Sequence, residues 1–330
     1  MRFNALGRTD IVASAIGFGC WALGDERTWG PQDEKESHAA IRAALDLGIN
    51  LFDTAESYGR GRSEEVLGRG LAGRRREAII ATKFSGGQET PDAIRTACEG
   101  SLRRLRTDVI DLYQAHWPPA RMPLSDMFEA LERLREQGKI RAWGVCNFGA
   151  KDLDRALETG LPIHTDQLPY SLLWRAIEFE ILDLCREKGI TVLAYSPLMQ
   201  GLLTGKYASP DEVPPERART RHFASSRPLA RHGEPGCEEE TFAALKRIRD
   251  ISADLHEPMN RVAIAWLLAQ PAVGSVLVGI RSPEQARENA AAASLVLPPD
   301  TVRNLTEATD RLKELLGANP DMWQSESRIR

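Results

Sequence analysis

The chain has 330 residues, of which 42% are hydrophobic and 27% are charged, and its formal net charge is −4. This balance is typical of a globular protein, and the small negative charge excludes a general attraction to nucleic acid or to anionic membranes. The length suits one large α/β domain or two ordinary domains.

In chain order, the first feature is a hairpin-like segment, 1–14, which turns around Gly-Arg-Thr-Asp at 7–10. Eight short β-branched or apolar runs follow, and their pattern indicates strands that are buried on both faces. The predicted strands cover 15–20, 49–52, 78–82, 109–114, 140–145, 164–168, 191–195 and 275–278.

Amphipathic segments alternate with these strands and predict helices over 34–47, 63–70, 90–105, 124–137, 150–158, 177–188 and 283–293. Ser63, Thr90 and Ser282 are suitable N-caps, and Gly138 and Gly189 are suitable C-terminal residues. Further helices are predicted over 238–255, 261–269 and 300–316. The Pro- and Arg-rich stretch 197–236 predicts a long loop, and loops of that length are usually functional or disordered.

Eight strands that alternate with helices require parallel pairing through helical crossovers. An open doubly wound sheet and a closed barrel both satisfy this requirement. The number of strands and their even spacing favour the closed form, a (β/α)8 TIM barrel of the α/β class. We therefore predict a single barrel domain over 1–330, with the N-terminal β-hairpin covering its bottom and extra helices outside it.

Polar side chains recur where the predicted strands end, which is the end that carries the active site in such barrels. They are Asp53, Lys83, His116, Asn147, Gln167, Tyr195, Ser196 and Arg281, and Tyr58 lies in the loop after the second strand. Each residue alone has an ordinary structural explanation. Their recurrence at one end of strand after strand predicts a catalytic site there.

The residues Asp53, Tyr58, Lys83 and His116 suit proton donation to a carbonyl oxygen. A free phenol has a pKa of about 10, and a neighbouring ammonium lowers it by favouring the phenolate. The carboxylate keeps Lys83 charged, and the imidazole orients the carbonyl toward Tyr58. A nicotinamide cofactor is the hydride source that such a proton donor needs to become a reductase.

Two segments are candidates for holding the cofactor phosphates, namely 196–206 and 279–285. The second opens a predicted helix, whose N-terminal amides favour anions. Arg281 beside that terminus suits an additional phosphate, which favours NADP over NAD.

Spaced motifs across nearly the whole chain resemble the aldo-keto reductase family. They are Gly-Phe-Gly-Cys-Trp at 17–21, Asp-Thr-Ala-Glu-Ser-Tyr-Gly at 53–59, Lys83, His116, Gly-Val-Cys-Asn-Phe at 144–148, Gln167, Ala-Tyr-Ser-Pro-Leu at 194–198, Gly279 and Glu-Asn at 288–289. The runs His-Trp-Pro-Pro at 116–119 and Gln-Leu-Pro-Tyr-Ser at 167–171 resemble the bacterial branch related to potassium-channel β subunits and inositol-cluster reductases.

This resemblance implies a barrel that binds NADP(H) and in which Tyr58 is the general acid. Lys83 and Asp53 would adjust the pKa of Tyr58, and His116 would orient the substrate carbonyl. The cofactor-binding residues that it implies are Trp21, Asp53, Cys146, Asn147, Gln167, Tyr195, Ser196, Pro197, Leu198, Gln200, Gly201, Lys206, Gly279, Arg281, Gln285, Glu288 and Asn289. Cys146 stands where the family usually has serine, and a thiol is a weaker hydrogen-bond partner.

The substrate is predicted only as a small carbonyl compound. The candidate pocket walls are Trp21, Tyr58, Phe84, His116 and Trp117, together with Trp174. Arg217, Arg219 and Arg221 in the long loop are candidates for clasping the cofactor or selecting anionic substrates. Two alternatives stay open, namely an NADP(H)-sensing regulatory subunit with little turnover and a Schiff-base aldolase that uses Lys83.

The five cysteines are scattered without a Cys-x-x-Cys pair, which argues against a disulfide framework and a structural zinc. The N-terminus lacks the apolar core of a signal peptide. We therefore expect a cytoplasmic protein without a metal, a nucleic-acid partner or a membrane partner. The oligomeric state is left open.

Overall fold

The structure, a computed structural model, describes residues 1–85 and 87–330. The eight predicted strands form a closed parallel barrel, in which each strand pairs with its neighbour and the last pairs with the first. The barrel strands are β3 (Ile16–Gly19), β4 (Leu51–Asp53), β5 (Ile79–Phe84), β6 (Ile110–Ala115), β7 (Ile140–Cys146), β8 (Thr165–Pro169), β9 (Thr191–Tyr195) and β10 (Val273–Gly279). The predicted TIM-barrel fold is thus confirmed.

The N-terminal hairpin consists of β1 (Phe3–Ala5) and β2 (Val12–Ser14), which pair antiparallel. Leu6, Ile11 and Ala13 of this hairpin are buried against the interior layer of the barrel, which includes Leu112 and Leu193. The hairpin therefore covers the bottom of the barrel, as predicted, and the polar strand ends lie at the opposite end.

The helices surround the barrel between successive strands. They are α1 (Glu26–Trp29), α2 (Glu34–Asp46), α3 (Arg62–Gly70), α4 (Pro91–Leu105), α5 (Leu124–Glu136), α6 (Ala150–Leu157), α7 (Ile181–Lys188), α8 (Glu238–Asp254), α9 (Met259–Leu268), α10 (Pro283–Ala292) and α11 (Pro299–Leu316). Thr90 and Ser282 accept capping hydrogen bonds from the first turns of α4 and α10, as predicted. None of the helices within the described residues combines the length and the apolar character needed to cross a membrane.

Two local predictions are corrected. The predicted helix 177–188 is interrupted at Glu180, whose φ of −146° separates a 3-10 turn, Ala176–Phe179, from α7. Ser63 does not cap α3, which follows Gly61 with a φ of 92°. The Ser63 hydroxyl instead donates to the Cys20 carbonyl over 2.7 Å and hydrogen-bonds Thr54 over 2.9 Å, so it connects the loops after β3 and β4.

The long loop after β9 is packed against the C-terminal segment, 318–330. Arg221 donates to Glu234 and to the carbonyl oxygens of Leu316 and Asn319. His222 is fully buried, and its Nε2 lies 2.8 Å from the Leu173 carbonyl oxygen. These contacts hold the loop against α11 and the C-terminal segment, which argues against the disordered interpretation.

We expect His222 to make the protein less stable as the pH falls from about 6.5 toward 4. Burial lowers the pKa of His222 to about 4, so between these values the unfolded chain binds a proton that the folded protein does not. The free energy of unfolding should therefore decrease with falling pH, by up to roughly 3 kcal/mol from this group. Urea titrations at pH 7.5, 5.5 and 4.5 measure the change. The variant His222→Gln keeps a hydrogen-bond donor without a titrating group and should show a shallower dependence; an unaltered dependence would contradict the prediction.

Candidate active site

Lys83 is the centre of the polar cluster at the top of the barrel. Its side chain is fully buried near the end of β5. The Nζ atom donates to Asp53 Oδ1 over 2.7 Å, to the Thr54 carbonyl over 2.8 Å and, more weakly, to Tyr58 Oη over 3.4 Å. An ammonium has three protons, so all of them are engaged. Tyr58 Oη is an acceptor in this arrangement, which leaves its own proton free to be donated.

Asp53 holds two partners with its two carboxylate oxygens. One oxygen accepts from Lys83, and the other accepts from Gln167 Nε2 over 2.7 Å. The prediction that Gln167 lies at the site is thus consistent with the geometry, and its amide nitrogen is occupied by Asp53. Because both oxygens are bonded, the carboxylate has a fixed orientation toward Lys83.

Tyr58 is positioned by an unusual backbone in the loop between β4 and α3. Gly59, Arg60 and Gly61 all have positive φ, at 57°, 55° and 92°. A Cβ atom on Gly59 would overlap the carbonyl oxygen of Gly24, so this position requires glycine. The turn directs the Tyr58 ring against Trp21, with centroids 5.9 Å apart, and toward the edge of His116 at 5.8 Å.

The protonation states follow from burial and from the charge of Lys83. Burial raises the pKa of Tyr58 to about 12, although the Lys83 ammonium opposes this rise. The lowering of the Tyr58 pKa that we expected from the ammonium is therefore outweighed. Removing a phenolate from water costs more free energy than the attraction of the neighbouring charge provides. Burial, followed by the positive charges of Lys83 and Arg328, lowers the pKa of His116 to about 3, so its imidazole is neutral near pH 7.

Lys83 itself stays charged. Burial disfavours the ammonium, but the Asp53 carboxylate and Tyr58 together raise the pKa of Lys83 above its usual value. A Schiff-base aldolase requires a neutral amine that can attack a carbonyl carbon. The fully engaged, protonated Lys83 is unsuited to that role, which argues against the aldolase alternative.

Asn147 is held between three neighbours just after β7. Its φ of 64° is left-handed, its Nδ2 donates to the His116 carbonyl over 3.0 Å and to Cys146 Sγ over 3.2 Å, and its Oδ1 accepts from Tyr195 over 2.9 Å. Burial raises the pKa of Cys146 well above its usual value, so the sulfur is a neutral thiol. Cys146 therefore takes part in positioning Asn147 as a weak acceptor.

The first predicted phosphate segment is a strained backbone curl after β9. Ser196, Met199 and Gln200 have positive φ values of 55°, 42° and 56°, and Gly201 has a φ of 96°. Pro197 and Leu198 lie within the curl, and Lys206 follows it with its Nζ 4.9 Å from the Tyr207 ring centroid. The Gln200 amide is buried, and its nitrogen and oxygen have no hydrogen-bond partner within residues 1–85 and 87–330. A curl with an unsatisfied amide suits a polar ligand.

The second predicted phosphate segment leads from β10 into α10. A side chain on Gly279 would meet no atom within 4 Å, so open space lies beside the strand end. Gln285 accepts from the Arg281 backbone N–H, while Glu288 is exposed and Asn289 is buried further along α10. The Arg281 guanidinium donates to Gln32 and to the carbonyls of Trp29 and Pro31. All three acceptors are uncharged, so these bonds do not neutralise its charge.

An aromatic rim surrounds the site, which we define as Trp21, Trp29, Trp117 and Trp323. Three guanidinium groups stack on it: Arg217 lies 3.8 Å from the Trp29 centroid, Arg219 lies 5.8 Å from Trp21 and 4.9 Å from Trp323, and Arg328 lies 3.8 Å from Trp117. Sequence reasoning missed Trp323, Arg328 and Trp29. For Trp323 and Arg328, the available signal was the occurrence of an aromatic residue and arginines after the last predicted helix.

Three predicted residues are placed elsewhere. Phe84 packs against Tyr113 in the layer between barrel and helices, with ring centroids 5.3 Å apart, and this placement gives no support to its assignment to the substrate pocket. Trp174 is fully buried and donates to the Pro320 carbonyl. Arg221 is occupied by Glu234 and backbone carbonyls, which removes it from the candidates for cofactor or substrate binding.

Comparison with known proteins identifies the family and supports the fold. The family model "Aldo/keto reductase family" matches residues 15–310. The NADH-specific methylglyoxal reductase of Escherichia coli is 35% identical, over 94% of this chain and 100% of its own. The glycerol dehydrogenase AKR11B4 from Gluconobacter oxydans superposes with a TM-score of 0.81 at 33% identity, covering 94% of this chain and 95% of its own.

A second solved structure was determined with a cofactor. The aldo-keto reductase from Klebsiella pneumoniae in complex with NADPH has a TM-score of 0.73 at 27% identity and covers 99% of both chains. The family match and these full-length similarities agree with the closed barrel. The chain belongs to the aldo/keto reductase family.

Proposed function

We propose that the protein reduces aldehydes or ketones to alcohols with NADPH, and that Tyr58 is the general acid. The observation that carries this proposal is the engagement of all three Lys83 ammonium protons, which leaves the Tyr58 proton free at the edge of His116. An NADP(H)-sensing subunit with little turnover would have no need of this arrangement. The complete set of four side chains therefore favours catalysis.

The chain's own residues account for the proton that the reaction consumes. A nicotinamide cofactor, when bound, supplies a hydride to the carbonyl carbon. The carbonyl oxygen receives the Tyr58 proton, so the C=O double bond becomes an alcohol and Tyr58 becomes a phenolate. Lys83, 3.4 Å away, stabilises that phenolate, and Asp53 keeps Lys83 charged. The neutral His116 can donate one N–H to the carbonyl oxygen and orient it.

The residues around the barrel top fit a phosphate-bearing dinucleotide. The unsatisfied Gln200 amide and the positive-φ curl at 196–201 offer polar groups to a pyrophosphate. Arg281 uses three of its five N–H groups on uncharged acceptors, so two remain for a further phosphate. These features support NADPH, while the similarity to an NADH-specific reductase makes the preference worth measuring.

Replacing the phenol should abolish most of the reaction while leaving cofactor binding intact. We expect Tyr58→Phe to lower kcat for an activated aromatic aldehyde by about 10²- to 10⁴-fold, the usual contribution of a positioned general acid. The dissociation constant of NADPH, measured by isothermal titration calorimetry, should stay within about twofold, because Tyr58 contributes no charge to phosphate binding.

Tyr113→Phe is the matched control for that experiment. Tyr113 is also a buried tyrosine, on strand β6, and its hydroxyl has no partner in the described part of the chain. The control should retain full activity, because its phenol faces the outer core. Near-normal turnover by Tyr58→Phe would remove Tyr58 from the catalytic role.

The pH dependence of the reduction rate should show no inflection from a histidine. Because the pKa of His116 is lowered to about 3 and that of Tyr58 is raised to about 12, neither group changes its protonation between pH 5.5 and 9. We therefore expect kcat/KM for reduction to vary less than about threefold across this range. Steady-state rates at saturating NADPH measure the profile. An inflection near pH 6.5 that disappears in His116→Gln would contradict the prediction.

Arg281 should discriminate between the two nicotinamide cofactors. We expect Arg281→Ala to weaken NADPH by about tenfold to a hundredfold and NADH by much less, because a charge-assisted bond to the additional phosphate is lost only with NADPH. Calorimetric titration with both cofactors measures the two changes. Equal weakening would mean that Arg281 acts only by holding the segment 29–32.

A further inference from the structure

Two guanidinium groups on the aromatic rim carry buried N–H groups without partners. Nε and Nη2 of Arg219 and Nη1 of Arg217 make no hydrogen bond to any residue that the structure describes. A buried donor without an acceptor costs free energy, and the cost is larger when the group is charged. An anion placed beside either arginine would supply the missing acceptor and remove this cost.

The charges around Arg219 also favour a negative ligand. Burial, together with the positive charges of Arg231 and Arg217, lowers the pKa of Arg219 below its usual value. Asp25 is the nearby carboxylate, but its oxygens already accept from Trp21 Nε1 and from the backbone N–H and hydroxyl of Thr28. The surroundings of Arg219 are therefore deficient in negative charge.

The two arginines face different parts of the site. Arg217 stacks on Trp29, whose carbonyl accepts from Arg281, and the charge of Arg281 also acts on it. Arg217 thus belongs to the side of the predicted phosphate segments. Arg219 lies between Trp323 and Trp21, and the Trp21 ring in turn stacks on Tyr58. The Trp21 ring therefore lies between Arg219 and the Tyr58 phenol.

We propose that Arg219 binds an anionic substituent, a carboxylate or a phosphate ester, on the carbonyl substrate. The substrate class is then an aldehyde or ketone whose negative group is separated from the carbonyl by a short spacer that contacts Trp21. This inference rests on the proposed reductase activity and specifies its substrate. Arg219 is a specificity-determining residue, since it acts on the distal group and takes no part in the proton transfer.

The test compares carbonyl compounds that differ in charge and little else. The first pair is 4-carboxybenzaldehyde and its methyl ester, methyl 4-formylbenzoate; the second pair is glyceraldehyde 3-phosphate and glyceraldehyde. The wild-type protein should prefer the anionic member of at least one pair by tenfold or more in kcat/KM. Arg219→Gln should reduce that preference by about tenfold to a hundredfold, as expected for loss of a charge-assisted hydrogen bond. The pair that responds distinguishes a carboxylate from a phosphate.

Arg231→Gln is the matched control. Arg231 is exposed in the same loop and contributes positive charge near Arg219. Its removal changes the local field but leaves the buried guanidinium, so the preference should change by less than about twofold. An equal loss in both variants would assign the preference to the general field and overturn the proposal.

Two binding measurements distinguish a failure of the Arg219 proposal from a failure of the proposed reductase activity. Calorimetry with 4-carboxybenzyl alcohol, the expected product, and with its methyl ester tests the anion site without turnover. Calorimetry with NADPH tests whether Arg219→Gln still binds the cofactor.

Weakened NADPH binding with an unchanged substrate preference would assign Arg219 to the cofactor and overturn the proposal. Reduction of neutral carbonyls with no anionic preference would overturn it while the reductase stands, whereas no reduction of any compound would contradict the reductase itself.

Discussion

The contact between the Lys83 ammonium and the Asp53 carboxylate determines the chemistry at the top of the barrel. Both charges are buried, and removing one partner of such a pair typically costs about 3–5 kcal/mol, because the other charge is left uncompensated. The two side chains meet because β4 and β5 are adjacent parallel strands, and Asp53 lies opposite Ala81, two residues before Lys83. Gln167 binds the carboxylate from across the barrel, and the positive charge reinforces the neutrality of His116.

The geometry of a parallel barrel explains why much of this site was predictable. The C-terminal ends of all eight strands meet at one face, so Asp53, Lys83 and Gln167 are brought together although 114 residues separate the first from the last. Strand positions followed from short apolar runs, whose period reflects burial on both faces. Local signals were also sufficient to predict Thr90 and Ser282 as N-caps, because a cap and its helix are adjacent in sequence.

Features that depend on tertiary contacts were not accessible in this way. Arg219 and Arg221 are two residues apart in one loop and look equivalent in the sequence. Arg221 pairs with Glu234, whereas Nε and Nη2 of Arg219 have no hydrogen-bond partner among the residues that the structure describes. The contact of Arg328 with Trp117 joins the C-terminal segment to the loop after β6, and no local pattern indicates it. The pKa of Tyr58 was misjudged because its direction depends on the balance between burial and the Lys83 charge.

The distribution of tryptophans has a spectroscopic consequence. Of the seven tryptophans, Trp143, Trp174 and Trp266 are in the core, and the other four form the aromatic rim. The core indoles are shielded from water and should emit at short wavelength regardless of what the site contains. The rim indoles lie beside the polar cluster, where Trp21 stacks on the Tyr58 ring and Trp117 is adjacent to His116, so their emission depends on what the site contains. The intrinsic fluorescence of this protein therefore contains a constant internal reference and a reporter located at the active site, and no external dye is needed.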